Sequence, residues 1–438
     1  MRFVIENINK VHTADIKLNG LTVIAGENDS GKSTVGKLLF STVKALANTD
    51  TSAALRKKQP LVEKYVKTLY SRLSTENVWT QYDVSDLFPR FRLDFVRTVT
   101  KAYEEGVLEN FLKVRADAVN NKFVNTTPRI KSLMLKDIEN IRISITKSGD
   151  RNAAMMAEVQ YFVESEFMNR ICAHHTPGSC VRFEMGGNDK SNRLIFTLKD
   201  NQVDSVAVSD GEFLKDATYV ESPLYLHVLD SLLFANTFRE VGRRTLFPMV
   251  PVHIKDLAEK IYSMRLIASP GTMSSEFQIN EITGGRFEYD TSAKKLVFVR
   301  DEESYTPINV ASGIKSFGVI QMLLDVGAIS EDRILIWDEP ENHMHPQWQV
   351  RFAGILVKLA KTGIPIVIST HSPYFIQGIR YFAAANRIEP FVNYYLAEES
   401  GSSDGLSAIT DVTDDLDRVF IKLSEPLNEI MNIPYDSQ

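Results

Sequence analysis

Along the first fifty residues the period of hydrophobic and polar positions changes twice. RFVIENI and ADIKLN read as strands and LTVIAG is a continuous apolar run; after the polar loop ENDSG, the stretch KSTVGKLLFSTVKAL sets Val35, Leu38, Leu39, Phe40, Val43 and Leu46 at helical spacing. A strand that runs through a glycine loop into an amphipathic helix predicts the entrance to a parallel α/β sheet. From about 50 to 175 strand-like alternation fades. LVEKYVKTLYSRL, LDFVRTVTKAY and AAMMAEVQYFVESEFM hold apolar residues three or four apart and predict several helices, punctuated at Pro60, Pro89, Pro128 and Gly149, without a sustained heptad seam. Strand patterns return at CVRFEM, NRLIFTL and DATYVESP. A short helix, HIKDLAEKIYSM, then precedes a predicted meander of EFQINEI, GGRFEYD and KLVFV. The last third alternates helix and strand: SGIKSFGVIQMLLDVG, RILIWDEP, PQWQVRFAGILVKLAKTG, IPIVIST, FVNYYLAEE and a helix near DDLDRVFIKL.

Composition narrows the class. A chain of 438 residues with 44% hydrophobic and 24% charged positions is globular, long enough for two or three units or for one large fold carrying an insertion. Its 2 cysteines exclude a disulfide scaffold. The N-terminal MRFVIENINK lacks the pattern of a signal peptide, and no stretch approaches the roughly 18 apolar residues of a membrane span, so a cytoplasmic protein without a membrane partner is expected. The net charge of -6 hides an asymmetry: residues 51–150 hold 18 Lys and Arg against 12 Asp and Glu. Such a surface could grip DNA phosphates, but the excess is diffuse and lacks a basic run with interleaved aromatics, so a solvated helical face accounts for it better.

Gly26–Thr34 reads GENDSGKST, the GxxxxGK[ST] pattern of a phosphate loop. Glycines let successive backbone amides across Gly26, Asn28, Ser30, Gly31, Lys32, Ser33 and Thr34 face a phosphate chain, and the following helix adds its positive end. Lys32 would reach the terminal phosphates of ATP and Ser33 would ligate Mg²⁺. Asp338 emerges from the apolar run ILIW at the carboxyl end of a strand, where a carboxylate can hold the metal; Glu339, next to it, is placed to deprotonate an attacking water. VIST followed by His371 brings a third strand end to the same edge and makes His371 a γ-phosphate contact. Ala311–Lys315, ASGIK, opens a helix, and there Ser312 taken alone is a good N-cap. Cys172, His174, His175 and Cys180 fit no common zinc spacing.

Phosphate loop, long insertion, SGxK helix, DEPExHxHP and STHSP occur in that order, and the order resembles the ABC-type ATPase heads of the SMC and RecF group, in particular the OLD-like ATPases. The resemblance covers residues 1–49 and 176–438. It implies an α/β fold: an ABC-type P-loop ATPase head, with a mixed central sheet and an antiparallel β subdomain, interrupted at 50–175 by a mostly helical insertion. In such families two heads enclose two nucleotides, and the signature serine of one subunit meets the nucleotide of the other. By resemblance that serine is Ser312, with Gly313 and Lys315 beside it, although Ile314 and Lys315 depart from the LSGGQ pattern. His345 stands at the D-loop place, and Glu221–Ser222 are the best candidates for the position between the lobes. OLD proteins carry a TOPRIM nuclease after the ATPase; the roughly 65 residues beyond THSP are too few for one. The arrangement therefore resembles the ATPase subunits of bacterial anti-phage systems of the PARIS (AriA) and Septu kind. The Septu kind implies an HNH nuclease partner; the PARIS kind, the nearer resemblance, implies a homo-oligomer formed through the heads, a separate TOPRIM-type, AriB-like nuclease effector and a phage trigger protein. A DNA-binding ATPase of the RecF or SMC type is the alternative.

Overall fold

The computed structural model describes residues 1–49, 51–146, 151–168, 170–173, 178–185, 192–209, 211–233, 250–267, 274–400 and 405–431. Two compact units divide the chain: Met1–Ala47 together with Met155–Gln438, and Asn48–Ala154.

The first unit is built on an 11-stranded mixed sheet. In chain order its strands are β1 (Arg2–Ile8), β2 (Val11–Lys17), β3 (Leu21–Gly26), β4 (Ser179–Met185), β5 (Asn192–Lys199), β6 (Gln202–Val208) and β7 (Asp216–Val220). After a separate meander of β8 (Arg286–Asp290), β9 (Lys295–Arg300) and β10 (Glu303–Tyr305), the same sheet receives β11 (Arg333–Asp338), β12 (Ile366–Thr370), β13 (Val392–Glu399) and β14 (Ser407–Asp411). The spatial order is β6-β5-β4-β1-β2-β14-β13-β3-β12-β11-β7. Strands β6, β5, β4, β1 and β2 pair antiparallel, whereas β13, β3, β12, β11 and β7 run parallel, so their carboxyl ends share one edge. In parallel α/β sheets that edge is where ligands bind.

Helices cover both faces of the parallel strands, which is why those strands are buried over most of their length. β3 is buried at all of its positions. Its Leu21, Val23 and Ala25 join one core with α8 (Ser312–Asp325), α9 (Pro346–Lys361) and α10 (Pro373–Asn386). Its Ile24 joins the other with α1 (Lys32–Thr49) and α6 (Arg151–Phe167). The second core centres on Phe40 of α1, fully buried, whose ring meets those of Phe162, Tyr219 and His253 edge-on at 6.2–6.3 Å. His253 lies on α7 (Val252–Tyr262), and α11 (Asp417–Met431) follows the last strand.

The second unit contains α2 (Thr51–Thr75), α3 (Arg92–Glu104), α4 (Leu108–Asn121) and α5 (Pro128–Thr146) around Val66, Leu69, Phe88, Phe95, Phe123 and Ile141. α2 runs through Pro60, Pro128 opens α5, and Gly149 lies outside the described residues. None of the described helices is long and apolar enough to cross a membrane.

Three features differ from the sequence expectation. The second unit ends at Ala154 and not at 175: α6 continues to Phe167, but its Met155, Val159, Phe162, Val163 and Phe167 are buried in the sheet's core. EFQINEI is not a strand: a 3-10 turn (Ser274–Phe277) and a short helix (Ile279–Thr283) flank Gln278, whose φ of 54° no strand can hold. Phe277 and Ile279 are both buried, which imitates strand alternation, and the meander takes its third strand from Glu303–Tyr305 instead. β6 and β14 add strands that the reading omitted.

Because Phe40 anchors α1 to both α6 and β7, Phe40→Ala should lower the unfolding free energy by about 3–5 kcal/mol, measured as the shift in urea midpoint at unchanged slope.

Candidate functional site

β3 ends at Gly26, and the chain turns through Glu27–Gly31 before α1 starts at Lys32. Two glycines are sterically required. A Cβ on Gly26, where φ is 155°, would lie 2.6 Å from the carbonyl oxygen of Ala397, and one on Gly31, at φ 87°, would lie 2.8 Å from Val11. The loop therefore threads between β13 and the start of β2. Lys10 pairs with Asp29 at 2.9 Å on its outer side. Lys32 is 5% exposed and folds back over the loop, its Nζ donating to the carbonyl oxygens of Gly26 (3.0 Å) and Glu27 (2.6 Å). Burial lowers its pKa, against the pull of Glu339, Asp338, Glu341 and Glu27. Ser30 Oγ is buried without a hydrogen-bond partner. The strand–loop–helix geometry is that of a phosphate-binding loop.

Strand order decides what faces this loop. β12 lies between β3 and β11, so His371, just past β12, stands between the phosphate loop and the acidic pair that ends β11. Asp338 is buried; Tyr219 Oη donates to its Oδ2 (3.0 Å) and Ser369 Oγ to its Oδ1. Glu339 sits at φ 47°, in the left-handed region that a non-glycine residue occupies at a cost, a feature that clusters at functional sites. Its amide donates to the Ser369 carbonyl (3.1 Å), and its Oε2 accepts from Asn342 Nδ2 (2.9 Å). Its Oε1 lies 3.4 Å from His371 Nδ1. The hydrogen bond with His371 outweighs burial and holds the Glu339 carboxyl at about 2, and the same contact raises the His371 pKa. Glu341, absent from the set of residues inferred from sequence, is also here: its Oε1 accepts from Thr370 Oγ1 (2.6 Å) and from the His371 amide (2.8 Å).

Residues from both motifs line one cleft of about 380 Å³: Asn28, Ser30, Gly31, Lys32, Ser33, Thr34 and Glu339, joined by Asn9 and Lys10 from the β1–β2 turn. This set fits Mg²⁺ and ATP. The glycine cradle, the helix terminus, the orphaned Ser30 hydroxyl and Lys32 offer donors to phosphate, while Ser33 and Asp338 offer hard oxygen ligands to a divalent cation.

The signature-like residues are elsewhere. Ser312 is the first residue of α8, not its cap; Ala311 holds the cap position, and Ser312 Oγ donates to the His343 carbonyl (3.1 Å). Gly313 is partly exposed, and a Cβ there would meet Trp348 only at 3.4 Å, an ordinary contact. Lys315 does not face outward: it is 2% exposed, and its Nζ donates to His227 Nε2 (2.5 Å), because α8 buries that side against the turn after β7. His345 caps α9 through its ring, accepting from the Gln347 amide. Glu221, at the carboxyl end of β7, is held at about 2, first by His253 Nε2 (3.1 Å) and then by Tyr225 Oη (2.6 Å). His253 Nδ1 meets Glu166 at 2.5 Å, and Ser222 caps the following turn. Cys172 and Cys180 are free thiols; His174 and His175 lie outside the described residues.

Sequence reading missed Tyr219, Ser369, Asn342 and Glu341. Each sits inside or beside a stretch that the sequence singles out; Tyr219, Ser369 and Glu341 find their partners across strands, Ser369 lying opposite Asp338, whereas Asn342 bonds Glu339 within the turn after β11.

Residues 224–377 match a family model described as "AAA domain, putative AbiEii toxin, Type IV TA system". That span holds Asp338, Glu339 and His371 and leaves out the phosphate loop. No curated protein matches. Among solved structures the chain is similar, at 9% identity, to the SMC head domain from Thermotoga maritima, covering 94% of this chain and 98% of that one at a TM-score of 0.40. It is likewise similar, at 9% identity, to an SMC head bound to the C-winged helix domain of ScpA, covering 95% and 98% at a TM-score of 0.43. A third likeness, also at 9% identity, is to an Smc head with an extended coiled coil bound to the C-terminal domain of ScpA, derived from Pyrococcus furiosus, covering 98% and 99% at 0.39.

Glu221 and Glu339 both titrate below their ordinary 4.5, so their contribution to stability is present above that value and lost as pH falls toward about 2. His253, raised above 6.5, contributes below that value and loses its contribution as pH rises through its folded pKa. Glu221→Gln should therefore flatten the fall of urea midpoint with pH across the acid window and weaken the alkaline loss; slopes equal to wild type on both sides would refute the assignment.

Proposed function

We propose that the protein binds ATP with Mg²⁺ and hydrolyses it as an ABC-type head, acting as a regulatory ATPase that pairs through its heads and controls a separate toxic effector. The single observation that carries the ATPase reading is that Lys32 and Glu339, more than three hundred residues apart in sequence, line one cleft. Loop amides, Lys32 and the α1 terminus would hold the phosphates. Ser33 and Asp338 would hold Mg²⁺, which when bound supplies charge neutralisation to the phosphate oxygens.

Glu339 in this arrangement is too acidic to be an effective base, because His371 and Asn342 stabilise its anion. His371 turning toward a terminal phosphate would release Glu339, raise its pKa and let it take a proton from water. Nucleotide occupancy and base strength are then coupled through one histidine. Ser312 and Gly313 of a second copy would complete the site. Support comes from Gly313, which is partly exposed and which packing within its own chain does not demand. Lys315 would act indirectly, by holding His227 and the turn after β7.

The regulatory role rests on resemblance to PARIS-type ATPases, on the 18-to-12 basic excess of residues 51–150 as a docking surface, and on a matched family described with toxin–antitoxin systems. A TOPRIM-type, AriB-like nuclease would be the effector and a phage protein the trigger. The alternative, a RecF- or SMC-like DNA-binding ATPase, predicts duplex affinity that depends on ATP and persists at physiological salt. Purification from the host with a TOPRIM-type nuclease attached, and without ATP-dependent duplex binding, supports the first; the converse supports the second.

Lys32→Ala should weaken ATP binding by about a hundredfold or more, and Glu339→Gln should retain ATP with turnover reduced roughly 10²–10⁴-fold. Equilibrium binding of a fluorescent ATP analogue and phosphate release check both. Ser312→Arg should spare binding and stop hydrolysis; normal turnover by this variant as a monomer would reject the intermolecular site.

A further inference from the structure

We propose that Glu341 is a positioning residue: a buried carboxylate that fixes His371 by its backbone and by Nδ1, leaving Nε2 as the ring nitrogen open to a ligand. The proposal rests on the reading of His371 as the ligand-facing group of the site and adds the residue that orients it.

Glu341 is 4% exposed, a costly place for a carboxylate. Only one of its oxygens is used. Oε1 accepts from Thr370 Oγ1 and from the His371 amide and lies 3.5 Å from His371 Nδ1, whereas Oε2 is buried with no partner. A carboxylate that only braced the loop could be replaced by an amide or a hydroxyl of lower desolvation cost. Its placement gains meaning from the ring: Nδ1 faces Glu339 at 3.4 Å and Glu341 at 3.5 Å, one partly exposed and the other buried. Two carboxylates beside Nδ1 favour a proton on this nitrogen in every charge state of the ring, since an Nδ1 lone pair would face two anions.

The groups acting on the ring are Glu339 and Glu341, which favour its charged form, and Lys32, which opposes it. When Glu339 is released to water, Glu341 is the acceptor that remains. Its own bonds run to the end of β12 and not to Glu339, so it keeps its place as the other contact breaks. The neutral ring is thereby held as the Nδ1-protonated tautomer with Nε2 as acceptor, and the charged ring presents an Nε2–H donor toward phosphate.

The test uses ¹⁵N-histidine NMR of the full-length, nucleotide-free protein, with the His371 signals assigned from their absence in His371→Gln. In wild type, above the titration midpoint, the shifts should report the proton on Nδ1; a proton on Nε2 would overturn the proposal without any variant. Glu341→Gln keeps an oxygen for Thr370 and the His371 amide while removing the charge. It should move the His371 midpoint to lower pH and cut turnover by roughly tenfold or more, with ATP-analogue affinity within about twofold. An unchanged midpoint and unchanged turnover would also overturn it. Were wild type itself unable to turn over ATP, the hydrolysis reading would fail, and the tautomer and midpoint would still decide the role of Glu341.

Discussion

A buried lysine with no carboxylate of the described residues in ion-pair reach sets the terms for this site. Lys32 rests on two carbonyl oxygens, and burial makes its charge costly. A phosphate chain entering the cleft would replace two dipoles by full negative charges, an exchange that favours the ligand far more than a preformed ion pair would permit. The acids gathered nearby are held off the lysine by other donors: Tyr219 and Ser369 on Asp338, Asn342 and His371 on Glu339, Thr370 and the His371 amide on Glu341. Each of those bonds comes from a strand end or the turn beyond one, so the parallel sheet is what keeps the cation available.

The same sheet edge is braced from beneath. Lys44 of α1 and Lys260 of α7 each meet Asp216 and Asp256, at 2.6–2.9 Å, in a closed ring of alternating charge that joins α1, β7 and α7. One turn away, Glu166, His253 and Glu221 link the end of α6 to the end of β7. Buried networks of this sort contribute little net stability but disfavour alternative packings once all members are satisfied. Their effect is to fix α1, and so the phosphate loop at its start, against the strand next to Asp338.

What could be read from sequence was what depends on neighbours along the chain. The phosphate loop, the apolar strands ending in Asp338 and His371, and the helix at Ser312 are local patterns, and each lies where its spacing placed it. Their convergence on one edge could be inferred because parallel strands buried on both faces have a recognisable composition. The remainder depends on which surfaces meet. Helical periodicity in α6 is the same whichever core receives it, so its pattern joins it to the preceding helices although it packs under the sheet. Phe277 and Ile279 satisfy a two-residue period through a turn as well as they would through a strand. The signature-like motif places Lys315 beside Ser312 at a nucleotide, yet burial of α8 turns it toward His227. Glu341 lies within DEPExHxHP, where the sequence assigns it no role because its partners lie at the end of another strand.

Charge balance in the cleft argues for a cation arriving with the nucleotide. Lys32 and a charged His371 face Asp338, Glu339 and Glu341, so the ligand-free site is already no better than neutral before a polyanion enters. The partners of Asp338 are neutral hydroxyl donors, which leave its charge uncompensated. A divalent ion held by Asp338 and Ser33 would offset this deficit by neutralising charge where the acids and an incoming phosphate meet. In the proposed exchange the histidine and not the lysine would move: Lys32 is held by burial and two loop carbonyls, whereas the His371 side chain is 41% accessible and lies beside two carboxylates.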